Sequence, residues 1–139
     1  MSYCTKQDLI DRFSEQELVE LTDRNRVGLV DDAVLDIRIG DADGIIDSFL
    51  GGRFTLPLAE VPRSLMRIAC DITWFFLNKD HATDQVRQAY VDALQFLREA
   101  ERGERHLGVS ASGGEAKVSD SASMTSGGRT FDRSDKSFI

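Results

Sequence analysis

The feature that most restricts this fold is a helical periodicity of apolar residues running almost unbroken through the first hundred positions, cut into segments by capping residues and glycines. Leu35, Ile39, Ala42, Ile46 and Phe49 recur at steps of four and three, which places them on one face of a helix. Leu65, Ile68 or Ala69, Ile72 and Phe76 repeat the pattern, and so do Val86, Tyr90, Ala93 and Leu97. The expected fold is all-α: a small bundle of about five helices followed by an extended, mostly irregular C-terminal tail.

The breaks between the stripes have physical causes. Thr5, with Asp8 three residues later, reads as an N-cap with an acidic first turn, opening a short helix through about Arg12. Ser14 with Glu17 reads as a capping box for a second short helix, with Leu18 and Leu21 on its apolar face, through about Thr22. Asp31 or Asp32 caps the third and longest helix, which Gly51-Gly52 ends. Pro62 fits the first turn of the fourth, where its missing N–H is no loss. Thr83 caps the fifth, Arg98 and Arg102 suit the negative end of its dipole, and Gly103 stops it.

Two details of the pattern need an explanation. Gly40 and Gly44 fall inside the third helix, where each costs about 1 kcal/mol relative to alanine; close approach of another helix, simple tolerance, or a kink are the readings open to them. Trp74, Phe75 and Phe76 follow one another in the fourth helix and cover more than one of its faces, so that helix is expected to be central, the alternative being contact with a neighbouring subunit.

Beyond Gly103 the composition shifts to Gly, Ser, Ala and Thr, with Gly113-Gly114 and Gly127-Gly128 dividing the stretch. By itself such a segment cannot bury enough apolar surface to offset its ordering entropy. Residues 1–102 therefore form the expected helical domain, and 103–139 an extension ordered on assembly. Its last part, Arg129 to Ile139, regains aromatics and charges, as a docking peptide does.

Charge narrows the partners. Residues 1–102 hold 12 Lys and Arg against 19 Asp and Glu, whereas residues 103–139 hold 5 of each, so the whole net charge of −7 belongs to the helical part. Nucleic-acid affinity depends on Lys and Arg displacing counterions, so tight DNA binding is not expected. The two short helices at the start satisfy the minimum of a helix-turn-helix reader. Between Thr5 and Arg24, however, only Lys6, Arg12 and Arg24 stand against Asp8, Asp11, Glu15, Glu17, Glu20 and Asp23. No apolar run approaches the roughly 20 residues of a membrane span, and the first residues lack the basic and apolar stretches of a secretory signal, so the chain is expected to stay in the cell that makes it. Cys4 and Cys70 are the only cysteines, and buried reduced thiols are expected rather than a disulfide framework.

Chemical motifs are missing where an enzyme would need them. Asp41-Ala42-Asp43-Gly44 has the acidic spacing of an EF-hand loop, but with Gly44 in the sixth position Ile39 and Leu50 occupy the first and twelfth, so both key ligands are absent. His81 and His106 have no His or Cys partner at metal spacing. The serines near Gly108 do not form a nucleophile elbow, and no P-loop or dinucleotide glycine pattern occurs. No enzyme activity, cofactor or metal is expected.

One resemblance gathers many of these residues. Tyr3, Asp8-Leu9-Ile10-Asp11-Arg12-Phe13, Leu21-Thr22-Asp23-Arg24, Ile46-Asp47-Ser48-Phe49-Leu50, Arg53-Phe54-Thr55-Leu56-Pro57-Leu58, Val61-Pro62 and Cys70-Asp71-Ile72 together resemble a family of Mu-like phage and prophage proteins. The tail run Phe131-Asp132-Arg133-Ser134-Asp135 with Phe138 is similar to that family's C-terminal pattern. Gly40 and Gly44 depart from it, standing where good helix formers are expected.

The resemblance implies a head-tail connector, also called an adaptor or head-completion protein, located at the virion neck. Connectors of this kind bind beneath the portal protein as a homo-oligomeric ring, commonly of twelve copies. They provide the site where the tail, through its terminator or neck protein, attaches, and DNA passes through without specific binding. In such a ring, Phe131 and Phe138 would anchor the terminal peptide while Arg133 pairs with a carboxylate of the portal or a neighbouring subunit. Some of Asp31, Asp32, Asp36, Asp41, Asp43 and Asp47 would face the lumen; a solvated outer face is the alternative for the same residues. Outside this family, a small acidic helical regulator binding a host or phage partner also fits the composition.

Overall fold

The structure, a computed structural model, describes residues 2–108. Among them are five helices and no strand: α1 (Lys6–Arg12), α2 (Glu15–Thr22), α3 (Asp32–Leu50), α4 (Arg63–Leu77) and α5 (Asp84–Glu101). The tail residues Phe131, Arg133 and Phe138 lie outside the described residues.

Four of the five helices begin where a side chain satisfies otherwise unpaired N–H groups of a first turn. The Thr5 hydroxyl accepts from the Asp8 N–H, and the Asp8 carboxylate accepts from the Thr5 N–H, so the complete capping box opens α1. At Ser14 only the forward bond, from the Glu17 N–H at 3.2 Å, is made, so the box expected there is half formed. Asp31 caps α3 through the N–H groups of Ala33 and Val34, and Thr83 caps α5 through that of Val86. Pro62 caps α4 without a side-chain bond.

α4 is the central element. It packs against α3, α5 and α1, while α3 also meets α5 and α2. The aromatic triplet is satisfied within the chain: Trp74 stacks on Phe13 with ring centres 3.9 Å apart, Phe75 stacks on Tyr90 at 4.1 Å, and Phe76 lies tilted against the same tyrosine. The α3 stripe that reaches the core is Leu35, Ile39, Ala42, Ile46 and Leu50; Phe49, expected in that stripe, is only half-buried. Continuing the stripe by four from Ile46, rather than three, keeps it facing α4 and the buried loop residues Phe54 and Leu58.

Gly40 and Gly44 have open surroundings: a methyl group at either position meets nothing within 4 Å. α3 runs through both, so tolerance accounts for them, and no helix among the described residues approaches closely there. Gly103 is different. Its φ of +79° is left-handed, which favours glycine at this helix end; the Arg53 guanidinium, the movable end of a long side chain, lies 2.6 Å from where a Cβ would stand. Packing continues past it to Leu107, which is buried.

Candidate assembly interface

The acidic residues of α3 separate into groups once placed on the helix. At about 100° per residue, Asp32, Asp36, Asp43 and Asp47 fall on one stripe, Asp41 lies on the opposite side, and Asp31 precedes the helix as its cap. The chain from Tyr3 to Lys6, the first residue of α1, lies against that stripe. Lys6 Nζ is 2.9 Å from Asp32, the Tyr3 N–H donates to Asp43 at 3.0 Å, and the Tyr3 hydroxyl donates to Asp47 at 2.5 Å. Tyr3 is buried, and burial, then the bond to Asp47, holds its phenol far above the ordinary tyrosine value. Three of the six candidate lumen residues thus fix the N-terminal segment, and Asp41 faces Arg38 at 3.3 Å. Asp36 is exposed. These structural roles were invisible to a reading of charge alone, because Tyr3 is 40 residues or more from its partners.

The same segment closes the core. Cys4 and Cys70 are both buried, with Cys4 Sγ 3.8 Å from the Thr73 hydroxyl. A hydrogen bond with Cys4 and burial together raise the Cys70 thiol well above the ordinary value, so it stays protonated. The Asp41-Ala42-Asp43-Gly44 run is helical, which rules out a calcium loop. His81 and His106 are exposed.

Among the described residues, two of the surface clefts differ in chemistry. One, of about 420 Å³, is lined by the apolar Leu21, Val34, Phe76 and Leu77 together with Arg24, Arg38, Lys79 and His81, and by Glu20 and Asp80. The other, of about 280 Å³, lies between the end of α1, α4 and the start of α5, and is lined by Phe13, Trp74, Val86, Ala89 and Gln85 around Asp71. Burial raises the Asp71 carboxyl above the ordinary range; Arg67 and Arg12 pull it back, and Asp92 adds to the rise.

Exposed apolar side chains are concentrated elsewhere. Among the described residues Val27, Leu29, Ile37 and Val91 are the large ones most open to solvent, and three of the four fall in the turn before α3 or its first half.

The sequence pattern described as Bacteriophage Mu, Gp36 matches residues 3–126 of this chain. The chain belongs to the phage Mu Gp36 family. It is 36% identical over 138 residues to the Mu-like prophage FluMu protein gp36 of Haemophilus influenzae, covering 99% of this chain and 98% of that protein. It is 35% identical over 141 residues to gene product J of Escherichia phage Mu, covering all of both. Among the described residues the member of the family seen here has no helix long and apolar enough to cross a membrane, and no group of side chains arranged to hold a metal ion.

Proposed function

We propose that this phage protein is a structural component of the virion neck: a head-tail connector that assembles as a ring beneath the portal and receives the tail. The observation that carries the reading is the distribution of unsatisfied surface. An exposed apolar turn before α3 and an apolar cleft around Asp71 lie on different elements of one subunit, as heterologous, ring-closing contacts require. Membership of a Mu phage family over almost the whole chain supports it.

The negative body suits the role electrostatically. DNA phosphates passing a lumen of like charge release no counterions and are not retained. The terminal segment with Phe131, Arg133 and Phe138 supplies an apolar and cationic peptide for the portal or an adjacent subunit, and tail proteins dock on the opposite rim. The protein acts through surfaces, with no catalytic step and no cofactor.

Deleting the gene from the phage or prophage that encodes the protein tests this. DNA-filled heads and complete but separate tails should accumulate, and adding the purified protein should join them. Normal virions from the deletion, or failure before DNA packaging, would refute the connector role.

A further inference from the structure

The turn between α2 and α3 is held in shape by its own bonds. The Asp23 carboxylate accepts from the N–H groups of Val27 at 3.0 Å and Gly28 at 2.7 Å, while the buried Thr22 hydroxyl accepts from the Asp31 N–H at 3.1 Å. Arg26 takes a left-handed φ of 58°. Here Val27 and Leu29 are 68% and 66% exposed, on the same turn as the exposed Arg24 and Arg26.

The cleft around Asp71 has the inverse chemistry. Its walls are mostly apolar, and the single carboxylate in it is 16% exposed with its nearest cation, Arg67 Nε, 4.0 Å away. A carboxylate that is largely removed from water and poorly paired gains from any guanidinium brought to it by an apolar neighbour that also excludes solvent. Of the surfaces described, the Arg24 to Leu29 turn presents that combination.

We propose that this turn of one copy docks into the α1/α4/α5 cleft of a second copy, with Leu29 in the apolar part and Arg26 on Asp71. Charge complementarity selects the occupant: in an acidic body, a cationic apolar knob meets an apolar hole containing one underpaired anion. Knob and hole are on different elements, so each subunit uses both and the contact propagates from copy to copy. The proposal deepens the connector reading and rests on it only for closure of the series into a ring.

Sedimentation velocity on the full chain from micromolar to millimolar concentration tests the contact, with emission from Trp74, which lines the cleft and is the chain's one tryptophan, as a second signal. Wild type should associate, and Leu29→Asp, Arg26→Asp and Asp71→Lys should each weaken association at least tenfold. An equimolar mixture of the Arg26→Asp and Asp71→Lys chains should recover it, because each turn then finds a cleft of opposite charge. Asp71→Asn, the milder change, should weaken association about tenfold while melting no lower than wild type, which separates docking from folding.

Association indifferent to these substitutions, or abolished instead by Phe131→Ser with Arg133→Ser, overturns the proposal, the latter by assigning the contact to the tail. A wild type that stays single at millimolar concentration overturns it too; if that same protein is retained in several copies on portal-bearing heads, the connector reading survives. Association through this contact with no retention on such heads upholds the contact and overturns the connector reading.

Discussion

Replacing Gly40 and Gly44 with alanine should make the protein more stable. Both are exposed positions deep within the 19-residue α3, more than two turns from its start and more than a turn from its end, so both residues are fully helical. Alanine is favoured over glycine there by about 0.8–1.0 kcal/mol, because glycine loses more backbone freedom on folding. The usual objection is steric, and it does not apply: an added methyl at either site has nothing within 4 Å. Each gain is a loss of backbone freedom local to its own residue, so the two together should come to about 2 kcal/mol.

For a body of about a hundred residues, each substitution should raise Tm by about 4 °C or somewhat more. Thermal melts followed by circular dichroism and urea titrations with an unchanged m-value measure this. Gly103→Ala is the internal contrast and should lower stability by about 1 kcal/mol through left-handed strain, the Arg53 guanidinium being free to swing aside. An unchanged or lower Tm for Gly40→Ala and Gly44→Ala would refute the reasoning and point to a bend or a packing role at those sites.

Tyr3→Phe should cost about 1.5 kcal/mol, the low end for a bond to a charged group because water can reach Asp47. Since the folded phenol titrates above its unfolded value, the contribution of Tyr3 is complete below about pH 10 and is lost as pH rises beyond it; alkaline unfolding of wild type and Tyr3→Phe, compared by circular dichroism, checks the sign. Thr22→Val should cost about 1–3 kcal/mol in urea titrations, because it leaves the Asp31 N–H without its partner at the joint between α2 and α3. Asp71→Asn should raise Tm at pH 7 and leave it unchanged near pH 3. The folded carboxyl titrates above the unfolded one, so its charge opposes folding only once pH exceeds the unfolded carboxylate range.

What the sequence revealed of this fold was mostly local. Thr5, Ser14, Asp31 and Thr83 mark helix starts by hydrogen bonds spanning two or three residues, and a 3.6-residue period marks the faces, so five helices were legible with close boundaries. Contacts set by tertiary packing were not. Nothing local separates Phe49 from Leu50 as the last core residue of α3, or indicates that Leu107 packs beyond the Gly103 stop. Asp43 and Asp47 looked like members of a solvated charge run, yet they hold Tyr3. Asp71 likewise became distinctive only when Phe13, Trp74 and Val86 were brought around it from three separate helix regions.

The central claim concerns place and number, and a reconstruction of the virion's portal vertex by electron cryomicroscopy, imposing no symmetry, addresses both. The account predicts this five-helix body repeated around the channel in direct contact with the portal, each copy's α2–α3 turn seated on its neighbour. A single copy, an isolated subunit elsewhere in the particle, or no density for the protein in the mature virion would contradict it.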